Sequence, residues 1–180
     1  MKKFVFAFLI LLFVKDSFGQ SKNKVSLYLQ TEYNHTVYDR TLGNNPWSVG
    51  LGLQSFLLTK SKLKPTIELV ADGSLEDDKV LRLNLENKAV NDAKAVINLF
   101  GGLSFFATKN VYVSFVAGPS FINSETYFGI KPSVGFYFSK TQKVTGRVTY
   151  TNIFNREFNY EQTQKDDFGS IGFAIGIKLF

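Results

Sequence analysis

The sequence predicts an all-β fold: an eight-stranded antiparallel up-and-down barrel that spans a membrane, with short periplasmic turns and longer extracellular loops. Three observations carry this expectation. The chain closes with Ile171, Gly172, Phe173, Ala174, Ile175, Gly176, Ile177, Lys178, Leu179 and Phe180, a bulky apolar side chain at every second position with something small or polar between. That is the period of a strand with one apolar face. The pattern recurs about eight times, and in most copies the second face is too polar and too small to fill a water-soluble core, as when apolar residues face lipid and polar ones a lumen. The third observation is an N-terminus written like an export signal.

Lys2 and Lys3 provide a positive start, Phe4 to Val14 is an unbroken apolar run, and Ser17 and Gly19 are small residues at the spacing a signal peptidase requires. The run is short for a spanning helix and is interrupted by Lys15 and Asp16. We therefore expect residues 1–19 to be a cleavable secretory signal, a mature chain beginning at Gln20, and one barrel domain over residues 20–180. The chain has no Cys, so neither a disulfide nor a lipidated N-terminal cysteine is available and anchoring falls to the fold. The formal net charge is +6, part of which leaves with the leader. In the linear sequence the excess is spread out, which argues against nucleic acid as a partner. A basic exterior would suit an anionic lipopolysaccharide surface, as it would suit ordinary solvated loops.

The expected strands run from Lys24 to Asn34, Trp47 to Leu57, Pro65 to Asp72, Ala95 to Phe106, Val111 to Gly118, Phe128 to Phe138, Val144 to Thr151 and Phe168 to Leu179. Most approach the roughly nine to eleven residues that a tilted strand needs to cross a bilayer. Connections after the second, fourth and sixth strands are short, around Thr59 to Lys64, Ala107 to Asn110 and Ser139 to Lys143. The others are longer and polar, holding Asn44 to Pro46, Gly73 to Lys94, Pro119 to Thr126 and Asn152 to Asp167. Strict alternation of this kind places both termini in the periplasm. Within the second long loop, Val80 to Leu85 alternates again and predicts extra β structure above the membrane.

On this register Leu27, Leu51, Leu69, Leu99, Val113, Val134, Val148 and Ile175 face outward. Ser26, Gln30, Gln54, Asn98, Ser104, Ser114, Ser133, Thr149 and Ser170 face inward. Aromatic girdles are expected from Tyr33, Trp47, Phe128 and Tyr150 at one rim and Phe105, Phe136 and Phe138 at the other. Pro46, Pro65 and Pro119 fall at strand ends, whereas Pro132 lies inside the sixth strand and predicts a bulge or bend. The inward charges are Glu32, Glu68 and Asp72 with Lys131, Arg147 and Lys178. Eight strands leave an interior just wide enough for side chains, so these six should neutralise one another in a connected network that plugs the lumen.

With its leader, eight strands and terminal aromatic, the chain resembles the small outer-membrane β-barrel domains, OmpA-like and OmpX-like in build. The sixth strand, Gly129 to Phe138, and the ending Gly176 to Phe180 are similar to the outer-membrane barrel family common in Bacteroidota. The resemblance implies an integral protein of the cell outer membrane, contacting its lipid and lipopolysaccharide. It further implies recognition of the C-terminal strand by the barrel assembly machinery through a terminal aromatic in phase with the apolar set. Here the phase departs, because the alternate apolar positions are Leu179, Ile177, Ile175 and Phe173, one residue off Phe180. Such barrels include lipid A acyltransferases and deacylases that use a His, a Ser and an acid near the outer rim, for which His35, Asp72 and Ser74 are the matching residue types. A lone His at the start of a polar loop is the commoner situation, and no nucleophile signature accompanies it. Glu76, Asp77 and Asp78 could touch a divalent cation but read as a solvated loop. The sequence thus points to a non-enzymatic outer-membrane barrel without cofactor or metal, whose loops meet an extracellular ligand it does not name. A His35-based lipid A enzyme and a narrow channel or secretion-associated barrel stand as alternatives.

Overall fold

A computed structural model describes residues 25–37, 47–74, 95–122, 125–159 and 162–180. The leader, the acidic run Glu76 to Asp78 and the alternating stretch Val80 to Leu85 lie outside the described residues. Eight strands follow in chain order: β1 (Val25–Thr36), β2 (Trp47–Leu57), β3 (Leu63–Ser74), β4 (Ala95–Phe106), β5 (Val111–Ile122), β6 (Glu125–Tyr137), β7 (Val144–Asn159) and β8 (Gln162–Lys178). Each pairs antiparallel with its sequence neighbours, and β1 pairs with β8 from Tyr28 opposite Lys178 to Thr36 opposite Ser170, which closes the barrel. Closure leaves no unpaired strand edge.

Side chains sort by the strand period. Leu51, Ile67, Phe115, Val134, Val148 and Ile175 are exposed on the outer wall, while Glu32, Gln54, Glu68, Lys131 and Arg147 are at most 2% exposed inside. Charges within and hydrocarbon without is the reverse of a water-soluble core. The inner face is nevertheless not uniformly small and polar. Near the end carrying the chain termini, hereafter the turn end, Tyr28, Phe56, Phe106, Tyr112 and Tyr137 form a buried aromatic layer. Their rings meet edge-on, stacked or tilted at centroid separations of 5.3–6.4 Å, within the range at which aromatic pairs attract. Toward the far end Val96, Ile122 and Ile153 make a second apolar cluster with Tyr127 and Phe168 against it.

Several elements differ from the sequence expectation. Strand β5 continues to Ile122 and β6 starts at Glu125, while β7 runs to Asn159 and β8 starts at Gln162, so much of two stretches expected as loops is paired strand. Beyond the membrane a ladder needs hydrogen bonds but no apolar alternation, so hydropathy does not mark its end. Pro132 makes no bulge. The β6–β7 register is the same on both sides of it, from Ile130 opposite Asn152 to Ser133 opposite Thr149, and only the pairs at Lys131 and Pro132 are missing. Pro119 likewise lies inside β5, and the β4–β5 ladder lapses between Asn98 and Gly101. Pro65 sits inside β3 opposite Leu103. A missing N–H removes one ladder bond, and here the strand continues on its other neighbour. The register shifts instead between β7 and β8, at Ile153 to Arg156 and Glu157 to Asn159. Asn155 takes a φ of 55° there, and its backbone N–H donates to Asp167 Oδ1 at 3.1 Å. Asn tolerates this left-handed conformation better than most residues.

Candidate functional site: a charged plug in the barrel lumen

The centre of the lumen holds four ionised side chains from four strands: Glu32 on β1, Glu68 on β3, Lys131 on β6 and Arg147 on β7. Their convergence follows from register. Glu32 and Arg147 both lie opposite Ala174 of β8, whose methyl group leaves the space between them open. Arg147 also faces Gly135, and Glu32 faces Gly50. Large charged side chains therefore stand beside residues with almost no side chain, which is how a narrow barrel packs.

Lys131 Nζ lies 2.8 Å from Glu32 Oε2 and 2.6 Å from Glu68 Oε1. The Arg147 guanidinium donates from Nη2 to Glu32 Oε1 at 2.8 Å and to Glu68 Oε1 at 2.9 Å, and from Nη1 to Glu68 Oε2. Each base thus bridges both acids, and the group is neutral. The fork on Glu68 is the bidentate geometry that fits a planar guanidinium to a carboxylate. Gln30 Nε2 donates to Glu32 Oε1 at 3.3 Å from the layer below, and Tyr112 links Gln54 and Thr145 at 3.4 and 3.3 Å. A buried charge is tolerable when paired and hydrogen-bonded, as each of these is through its terminal atoms, with Arg147 Nε the one guanidinium nitrogen that finds no partner among the described residues.

The sequence grouped six charges, and the structure brings four of them into mutual contact. Asp72 sits one layer nearer the far end, where it accepts from Asn34 Nδ2 at 2.9 Å and Asn98 Nδ2 at 3.4 Å, with Ser120 donating to Asn98 Oδ1 at 2.7 Å. Among the described residues it makes no ion pair. Lys178 is half-buried near the turn end, separated from the acids by the aromatic layer, and joins no pair among the described residues. Its distance along β8 from Ala174, opposite Glu32, is what excludes it. The aromatic layer that seals the turn end escaped sequence reasoning, although Tyr28, Phe56, Phe106, Tyr112 and Tyr137 each keep the inward phase of their strand.

The residues considered for lipid A chemistry are not assembled into a site. His35 belongs to the outer phase of β1 and packs edge-on against Trp47, ring centroids 4.3 Å apart, beside the stacked Tyr33 and Trp47 pair. Asp72 has the opposite phase and its carboxylate is held in the lumen by Asn34 and Asn98. The barrel wall stands between them, a consequence of odd and even positions on strands in register. Of Ser74 only the backbone is described, opposite Ser48. At the C-terminus Leu179 N donates to Leu27 O at 2.8 Å and Phe180 O accepts from Leu27 N at 3.0 Å, so two residues share one partner as in a bulge. Leu179 keeps the outward phase and Phe180 falls out of it.

No protein-family model and no curated protein sequence matches the chain. Solved structures do. The attachment invasion locus protein Ail of Yersinia pestis aligns over 86% of this chain and 97% of its own, with a TM-score of 0.53 at 10% identity. Neisserial surface protein A aligns over 87% and 98%, with a TM-score of 0.52 at 8% identity. A de novo designed transmembrane β-barrel aligns over 88% and 98%, with a TM-score of 0.51 at 9% identity. At such low identity the likeness speaks to architecture, and the chain accordingly has the fold of the small eight-stranded outer-membrane β-barrels.

Proposed function

We propose that the protein is an integral outer-membrane β-barrel without enzymatic activity, its lumen plugged by side chains and its far-end hairpins and loops serving as a binding or recognition surface. The observation that carries this is the inverted wall: Leu51, Ile67, Phe115 and Val134 stand 50–61% exposed around a lumen that buries Glu32, Glu68, Lys131 and Arg147. Hydrocarbon of that extent belongs in lipid. Strands β7 and β8 continue past the apolar belt as a paired hairpin, a stiffer platform for recognition than a free loop. Ail, a barrel of the same build, has been solved with the heparin analogue sucrose octasulfate. We carry over only the idea that such a barrel can present a ligand-binding surface.

Outer-membrane lipid and lipopolysaccharide are then the immediate surroundings, and β8 is the element for the barrel assembly machinery to read, with Leu179 in place of Phe180 as its last in-phase residue. Fractionation tests the core of this reading. The protein should sediment with outer membranes and migrate faster unheated than boiled. Recovery from the soluble periplasm would refute it. In planar bilayers the pure protein should pass no steady current, and a steady current indifferent to Arg147→Ala would remove the plug.

A further inference from the structure

The fold gathers lysines that the sequence scatters. Lys60 and Lys62 lie on the β2–β3 turn, Lys109 on the β4–β5 turn, Lys140 and Lys143 on the β6–β7 turn, and Lys178 at the end of β8. All but Lys178 are exposed, and all stand at the turn end. No acidic side chain accompanies them: the described residues 25–30, 54–66, 102–114, 133–146 and 174–180 contain neither Asp nor Glu. The far end, by contrast, carries Asp72, Glu125, Asp166 and Asp167. The exposed positive charge is spread around most of the circumference, because the β2–β3, β4–β5 and β6–β7 turns occupy successive sectors of the closed barrel, the β8–β1 sector adding the half-buried, inward-phase Lys178.

The turns are also built to hold their shape. Thr108 Oγ1 accepts from the backbone N–H groups of Asn110 and Val111, and Ser61 Oγ from that of Leu63. Gln142, at φ 55°, donates from Nε2 to Lys109 O at 2.6 Å and accepts from Tyr28 Oη at 3.0 Å, tying the second and third turns together across the mouth. Each turn is short and follows directly on exposed apolar residues, Leu57 and Leu63, Phe105 and Val111, Phe138. The ammonium groups consequently stand at the border of the hydrocarbon belt, at headgroup depth.

We propose that this lysine ring docks the anionic headgroups of phospholipids in the leaflet at the turn end. The inference rests on the membrane-spanning reading above. A ring at headgroup depth fits a leaflet that surrounds the barrel, whereas an acidic protein would call for a one-sided patch.

The test uses the mature chain folded into bilayers of phosphatidylcholine with trace spin-labelled phosphatidylglycerol or phosphatidylcholine. The motionally restricted fraction of each label gives their relative association with the barrel. The expected preference for phosphatidylglycerol is twofold to about fivefold, the upper figure being that for a lipid beside one ammonium. It should vanish in the variant K60Q/K62Q/K109Q/K140Q/K143Q, and for the unmodified protein at about 1 M salt, where the screening length is about 3 Å. Heat-modifiable migration reports whether the variant is folded, and if it is not, the salt series on the unmodified protein decides. Insertion without lipid preference, or a preference unchanged by both variant and salt, overturns the proposal alone. Failure to insert in any bilayer overturns the membrane reading with it. Lysine-dependent sedimentation with purified peptidoglycan in the absence of lipid preference assigns the ring to the cell wall and overturns the lipid partner.

Discussion

Arg147 shows how much depends on single residues here. Its guanidinium bridges two carboxylates that are otherwise left to Lys131 alone, so Arg147→Met should destabilise the barrel by about 3–5 kcal/mol, the usual consequence of stranding a buried charge. Urea titration in detergent micelles measures this. Adding Glu68→Gln should recover part of the loss, because it restores neutrality, and a double-mutant cycle that came out additive would show that the two do not interact. Gly135 is held by a different constraint. A methyl group there would overlap the Cζ, Cε1 and Oη atoms of the Tyr112 side chain. Gly135→Ala should therefore cost about 1–3 kcal/mol by overpacking, and Tyr112→Leu, which removes the ring, should make that same substitution nearly harmless. Glu32, Glu68, Lys131 and Arg147 were all legible as inward charges from strand phase. Asp72 and Lys178 share that phase, but which charges touch depends on stagger around the barrel, which one-dimensional alternation does not encode.

Among elements, the wall strands were the most legible and the far-end hairpin the least. Period-two hydropathy locates a strand only where lipid demands it, so the parts of the eight strands across the belt were readable and the extension of β7 and β8 beyond it was not. The same demand makes a prediction. Leu69, opposite Leu53 and Leu99 on the outer wall, should tolerate Arg poorly, by about 2–4 kcal/mol if it lies at the bilayer midplane. Phe128→Arg, at a rim position, should cost about 0–1 kcal/mol. Comparing both by folding equilibria in bilayers tests the depth assignment, and equal penalties would contradict it. The β7–β8 irregularity leans on Asp167, which accepts from Asn155 N and, at 3.4 Å, from Asn152 Nδ2. Asp167→Ala should loosen amide-exchange protection at the far end of that hairpin while leaving Arg147 and its neighbours protected.

For the whole molecule, intact-mass and terminal-peptide analysis of the outer-membrane form should place the start at Gln20, free or cyclised to pyroglutamate, and an earlier start would contradict cleavage of the leader. The sequence by itself determined the strand count, the two faces of the wall and the identity of the inward charges, because burial in lipid imposes a local alternation that each strand records independently. Only the tertiary structure decided what those strands bring together. Closure set which four charges share one site. It also placed His35 and Asp72 on opposite sides of the wall, stacked five aromatic side chains from five strands into one seal, and collected lysines far apart in the chain into one ring. Each of these depends on register and shear between strands, which are properties of pairs of segments and not of any segment alone.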